Sequence, residues 1–219
     1  MAVPTFANRR DAGRRLAAAL ADLAQERPVV LALPRGGVPV GYEVAQALDA
    51  PLDLLMVRKI GAPGHEEYGI GALVDGAAAQ IVIDEAAARA VGASQDYIDR
   101  IVARELAEIE RRRKLYNISA PIQIAGRCVI LVDDGIATGA TVRAALKGLA
   151  KVRPAKIVLA VPVAARDTLQ TLAADCDRIV CLAMPDPFYA VGMHYLDFGQ
   201  TDDREVIALL AASRKSSAA

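Results

Sequence analysis

The sequence holds no tryptophan, two histidines and three cysteines in 219 residues, and aromatic residues make up 4% of it. Cys128, Cys176 and Cys181 are an odd set without metal-like spacing, which excludes a disulfide framework or a zinc cluster as the basis of the fold. Cys128 and Cys181 sit in apolar runs, where a free thiol packs as a small hydrophobe, and that usage suits a reducing compartment. Excess charge is missing too. Lys plus Arg and Asp plus Glu number 26 each, so no global field draws the chain to nucleic acid or to an anionic membrane. No apolar run approaches the roughly 20 residues that cross a bilayer. The first ten residues lack the charged-then-apolar order of a signal peptide, so the expected location is the cytoplasm. What remains is ordinary: 54% hydrophobic and 24% charged residues describe a soluble chain able to bury a core, read as a single domain over 1–219.

Periodicity divides the chain into short apolar runs and amphipathic stretches. Leu16, Leu20 and Leu23 predict a helix over about 6–25, and the run 28–33 predicts a buried strand. A helix over about 38–48 and a strand over 52–57 follow. Residues 58–67 are polar and contain Gly61, Pro63 and Gly64, which predicts a long loop. Two short β-like runs lie near 70–74 and 80–83. Ile98, Ile101, Val102, Leu106 and Ile109 trace one face of a long helix over 94–116, with Ser94 as its N-cap. Its terminal basic run, Arg111 to Lys114, complements the helix dipole and carries no interleaved aromatics of a nucleic-acid surface. The second half alternates: strand 128–132, helix 140–151, strand 156–161, helix 166–174, strand 178–182. A Pro-rich stretch, 184–199, precedes a last helix over 203–212 with Asp202 and Glu205 as a capping pair, and a frayed tail from Ser213. Such alternation predicts an α/β fold: a doubly wound, mainly parallel sheet flanked by helices.

In a sheet of this kind, ligands bind beyond the carboxyl ends of the strands. One strand end carries unusual chemistry. After Val129-Ile130-Leu131-Val132 come Asp133-Asp134-Gly135-Ile136-Ala137-Thr138-Gly139-Ala140-Thr141. Small residues at 137–141 let backbone N–H groups reach a phosphate at the start of a helix, and Thr138 and Thr141 add hydroxyl donors. Asp133 and Asp134 are acceptors suited to sugar hydroxyls or a hydrated Mg²⁺. A phosphate and a diol accepted together describe a ribose 5-phosphate. An Asp at a strand end can also cap a helix. The order of strand, acid pair and small loop favours the ligand site.

This segment resembles the signature of the type I phosphoribosyltransferases, and the likeness runs from Phe6 to the last helix. It departs at Gly135, where that family carries a branched apolar residue or Ser, a change expected to loosen the backbone. The resemblance implies binding of phosphoribosyl pyrophosphate with Mg²⁺, the 5-phosphate on Ala137, Thr138, Gly139, Ala140 and Thr141, and ribose hydroxyls on Asp133 and Asp134. It implies a pyrophosphate loop with a cis peptide at Pro34-Arg35-Gly36-Gly37, a segment that alone reads equally as a glycine turn. It implies a flexible lid over 58–71, with Arg58 or Lys59 neutralising the leaving group. It implies a small C-terminal hood within 184–199, where Phe188, Tyr189 and Val191 meet the base and Asp197 lies near the metal. His65 reads as part of a solvated loop face and His194 as structural.

Where 6-oxopurine members carry an acidic base in the phosphate loop, this chain has Ala137, so the acceptor is left open. The expected activity is transfer of phosphoribose to a small nitrogenous acceptor, a nucleobase by resemblance, by an enzyme that pairs as a homodimer. The rival readings are a non-catalytic sensor of phosphoribosyl pyrophosphate and a hydrolase or phosphorylase acting on a ribosyl phosphate.

Overall fold

A computed structural model describes residues 6–76, 79–118 and 120–216. Five parallel strands form the main sheet: β1 (Val29–Ala32), β2 (Leu52–Leu54), β6 (Cys128–Val132), β7 (Lys156–Val163) and β8 (Arg178–Ala183). Their spatial order is β2-β1-β6-β7-β8. The chain therefore winds outward from β1 on one side and from β6 on the other, which makes the gap between β1 and β6 the topological switch point. Register aligns Ala32 with Val132, so both strands end side by side.

Successive residues of β1 and β6 serve opposite faces, which is why these strands read as unbroken apolar runs. Val30, Ala32, Ile130 and Val132 pack with Leu16, Leu20, Val44 and Val206, residues of α1 (Arg9–Ala19), α2 (Gly37–Ala47) and α7 (Asp203–Ser216) and the turn after α1. Val29, Leu31, Val129 and Leu131 pack with Leu146, Leu149 and Leu172 of α5 (Ala140–Val152) and α6 (Arg166–Leu172). Burying each of these large aliphatic side chains stabilises the fold by about 1.5–3 kcal/mol. No helix among the described residues is long and apolar enough to cross a membrane.

The expected loop at 58–67 is instead a hairpin. β3 (Val57–Ala62), β4 (His65–Val74) and β5 (Gln80–Ile83) form a second, antiparallel sheet. Its glycines and proline occupy a tight turn at Pro63-Gly64 and a register shift at Gly61, so composition suggested a loop where special backbone geometry lies inside strands. The short helix α3 (Glu85–Ala90) also escaped the sequence reading, because its alanines give little amphipathic contrast. The first helix is shorter than expected: α1 starts at Arg9, and residues 6–8 run alongside the C-terminal stretch. The last helix is longer, reaching Ser216, and residues 217–219 of the expected frayed tail lie outside the described residues.

Helix α4 (Gln95–Leu115) braces the hairpin. Ser94 caps it as expected, accepting from the Tyr97 amide at 3.2 Å. Arg58 Nε donates to Glu105 Oε2 at 2.6 Å, and the Tyr97 hydroxyl donates to the Gly61 carbonyl at 3.0 Å. Arg113, from the basic run, pairs with buried Asp75 at 2.8 Å. The Glu105 side chain is 6% exposed and that of Arg58 35%, so solvent screens the pair in part. Glu105→Ala should cost about 2 kcal/mol, below the full value of a severed buried pair. Amide exchange should rise in β3 and β4 but not in β1, as hydrogen–deuterium exchange would report.

Candidate functional site

Two loops meet at the switch point. Pro34–Gly37 leaves β1 through a cis Pro34–Arg35 peptide, in keeping with the resemblance, and α2 begins at Gly37. The second loop leaves β6 as Asp133-Asp134. The two touch so closely that a side chain at position 36 would overlap the Asp134 carboxylate. A Cβ at position 37 would lie 2.8 Å from the Val132 carbonyl oxygen. Both glycines are thus required by close approach, and Gly36 and Gly37 lie against the acid pair.

Asp133 Oδ1 accepts from the Asp134 amide at 2.9 Å. Asp133 keeps partial solvent contact, yet burial, reinforced by the neighbouring Asp134 carboxylate, pushes its carboxyl well above the usual range. Asp134 is held from two sides: Oδ2 accepts from Arg9 Nε at 2.7 Å, and its carbonyl accepts from the Tyr195 hydroxyl at 2.6 Å. Beyond the acids, Ile136 anchors the loop to the end of β7, donating its amide to Val163 at 2.9 Å. Thr168 of α6 donates its hydroxyl to the Ala137 carbonyl at 2.7 Å.

Gly139 then adopts φ 75° and caps α5. The first helical bond of α5 runs from the Arg143 amide to the Gly139 carbonyl at 2.8 Å, so the amides of 140–142 have no partner within the helix. Ala137, Thr138, Ala140 and Thr141 are exposed. Unpaired amides and small exposed side chains at a helix start make an anion cradle.

The hairpin faces this cradle. Lys59, Glu67, Ala140, Thr141, Arg143 and Lys147 line a cavity of about 980 Å³ between β3–β4 and α5. Lys59 Nζ donates to the Glu67 carbonyl and to Glu67 Oε2, each at 3.1 Å. Arg58 points elsewhere, into its pair with Glu105. Of the two cations that the resemblance put in a lid, only Lys59 lines the cavity shared with Ala140 and Thr141. Neighbouring residues on a strand face opposite ways.

A family model described as "Phosphoribosyl transferase domain" matches residues 6–197. This chain belongs to the phosphoribosyltransferase family. A Mycobacterium tuberculosis (strain ATCC 25618 / H37Rv) protein named "Putative phosphoribosyl transferase Rv0571c" is 43% identical over 206 residues, covering 94% of this chain and 46% of that one. The chain spans about half the length of the curated relatives it matches. The crystal structure of TT1426 from Thermus thermophilus is 44% identical, with a TM-score of 0.83 over 94% of this chain and 98% of that one.

Within this phosphoribosyltransferase domain, stretch 184–199 arches beside the acid pair. Phe188 stacks on buried His194 at 5.7 Å, while Tyr189 is 73% exposed, so Tyr189 is the aromatic free to meet a ligand. Burial lowers the His194 pKa, in keeping with a structural histidine. Gly135 does not simply loosen the backbone. A Cβ there would lie 2.5 Å from Val191 Cγ1, so Val191 occupies the space that a branched residue at 135 would need.

Asp197 is exposed and accepts from the Gly199 amide at 3.1 Å. No group of three or more metal-ligating side chains occurs among the described residues. A carboxylate or two with substrate oxygens suits Mg²⁺, which keeps several waters, so the chemistry of the acid pair fits an ion brought in with a phosphorylated substrate, while Asp197 does not complete a three-carboxylate group with it.

Sequence reading missed Arg9, Tyr195 and Thr168. Arg9 fell in a predicted surface helix, and its partner is 125 residues away, a distance at which local pattern carries no signal. Arg35 pairs loosely with Asp203 at 3.7 Å, and the same Asp203 oxygen accepts from the buried Tyr116 hydroxyl at 2.7 Å.

The raised Asp133 pKa has a stability consequence. Below the ordinary carboxylate pKa the acid is neutral in both states and costs nothing. As pH rises toward the folded value, the unfolded chain ionises first and stability falls. Asp133→Asn mimics the neutral acid. It should raise the melting temperature at pH 8 by about 3 °C more than at pH 4; equal shifts in thermal melts at both values would contradict this assignment.

Proposed function

We propose that this domain transfers the phosphoribosyl group of phosphoribosyl pyrophosphate to a nitrogen acceptor. The observation that carries it is the packing of an acid pair and an anion cradle against a glycine loop at one switch point. The amides and hydroxyls of 137–141 hold the 5-phosphate, and Asp133 and Asp134 accept the ribose hydroxyls. Arg35 and the amides of Gly36 and Gly37 receive the pyrophosphate. The acid pair, with the substrate's own oxygens, would hold Mg²⁺, which supplies positive charge to the leaving oxygens when bound.

The hairpin tip around 62–68 acts as the lid. Its closure releases Lys59 from Glu67 and brings the ammonium to the pyrophosphate, excluding water from a cationic C1. The acceptor nitrogen forms its bond to C1 with inversion as the bond from C1 to pyrophosphate oxygen breaks, and the nitrogen's proton passes to the departing pyrophosphate. Most of the acceleration comes from positioning and charge stabilisation, because Ala137 offers no base. Tyr189 stacks on the acceptor beneath the hood formed by 184–199, a stacking geometry that suits a planar heterocycle.

The test is pyrophosphate release from phosphoribosyl pyrophosphate and Mg²⁺ with a panel of purines, pyrimidines and other nitrogen heterocycles. Acceptor-dependent release is expected, and Asp134→Asn should slow it by about 100-fold. Release that needs no acceptor would reassign the site to hydrolysis.

A further inference from the structure

Arg9 belongs to neither strand loop of the site, yet it is more firmly built into the site than any other cation. Its side chain is 13% exposed. Nε donates to Asp134 Oδ2 at 2.7 Å, and Nη1 donates to the Gly199 carbonyl at 2.6 Å. The guanidinium plane lies over the Phe198 ring, with Cζ 3.8 Å from the centroid. Three separate contacts, to an acid, a carbonyl and an aromatic face, use the fork and the flat surface that distinguish Arg from Lys.

The segment that carries Arg9 is itself tied down. Phe6 donates its amide to His194 at 3.0 Å, and Leu196 and Asp197 donate theirs to Phe6 and Ala7 at 2.9 Å. Phe6 packs on Tyr195 with ring centroids 5.4 Å apart, and the Tyr195 hydroxyl reaches the Asp134 carbonyl. Asn8 caps α1, accepting from the Asp11 amide at 2.9 Å. The N-terminal strap and stretch 194–199 therefore form one unit, which reaches the Asp134 backbone through Tyr195 and the Asp134 carboxylate through Arg9.

We infer that Arg9 is a positioning residue for sugar binding, fixing the Asp134 carboxylate so that Oδ1 alone is presented to a ribose hydroxyl. The inference rests on the sugar-phosphate reading above and assigns the N-terminal strap to the site. A carboxylate free of Arg9 would rotate about its Cβ–Cγ bond and would share uncompensated negative charge with Asp133. Arg9 removes both freedoms at once, and it does so only while Phe198 and Gly199 hold its guanidinium. The strap, the stretch 194–199 and the diol acceptor are therefore joined by direct contacts.

The test uses two probes on the whole chain: inorganic phosphate, which needs only the 137–141 cradle, and ribose 5-phosphate, which needs the cradle and the acids. Arg9→Ala should weaken ribose 5-phosphate about tenfold by calorimetry, the scale of one charge-assisted hydrogen bond, and leave phosphate affinity unchanged. Arg9→Lys should recover only part of the loss. In steady-state assays the same change should raise KM for phosphoribosyl pyrophosphate more than it lowers kcat. Equal weakening of both probes means that Arg9 merely maintains the fold, and unchanged or tighter ribose 5-phosphate binding means that it does not present Asp134. Either result overturns the inference while leaving the cradle in place. Failure of the wild-type chain to bind either probe would instead remove the sugar-phosphate reading, and the role of Arg9 with it.

Discussion

The site depends on the approach of the Asp134 carboxylate to the backbone of Gly36. Two strands that end in register put their following loops within contact of each other, and the contact is tight enough that position 36 has no room for a Cβ. That approach decides the local sequence on both sides. It requires glycine in one loop, puts a short acid in the other, and leaves the carboxylate facing whatever the glycine loop holds. A ligand that spans the gap meets backbone amides on one side and acids on the other. Phosphates joined to a diol have that distribution of acceptors and donors.

The acid pair also creates an electrostatic cost that the surrounding structure limits. Burial, reinforced by the neighbouring Asp134 carboxylate, disfavours ionisation of Asp133. Arg9 pairs with Asp134, Tyr195 holds its carbonyl, and Asp133 keeps a hydrogen bond from the Asp134 amide. These partners come from the N-terminal strap and from 194–199, so the segments most distant in sequence meet at the acids. The loop that opens α5 is supported separately, through the Ile136 amide on β7 and the Thr168 hydroxyl of α6. The acid pair and the loop that opens α5 thus rest on different elements.

The doubly wound sheet and the acid-and-cradle segment were legible because their signals are local. A run of four aliphatics, two acids and a small-residue loop lie within thirteen residues and need no knowledge of the rest of the chain. The hairpin was not legible, since Gly61, Pro63 and Gly64 signal a loop whether they end a strand or shape a bulge within it. Arg58 and Lys59 looked equivalent because a strand's alternation matters only once its two faces are known; one faces α4 and the other the cavity. Gly135 read as a loosened backbone, and only the position of Val191 shows that the missing side chain makes room for another. Arg9 carried no signal at all, because its partners Asp134, Phe198 and Gly199 are more than a hundred residues away.

We propose that this switch point receives phosphoribosyl pyrophosphate. Calorimetric titration of the folded protein with that compound, with and without Mg²⁺, tests it most directly. Saturable binding to one site per chain, strengthened by Mg²⁺, is expected. No heat of binding under either condition, from protein shown by circular dichroism to be folded, would contradict it.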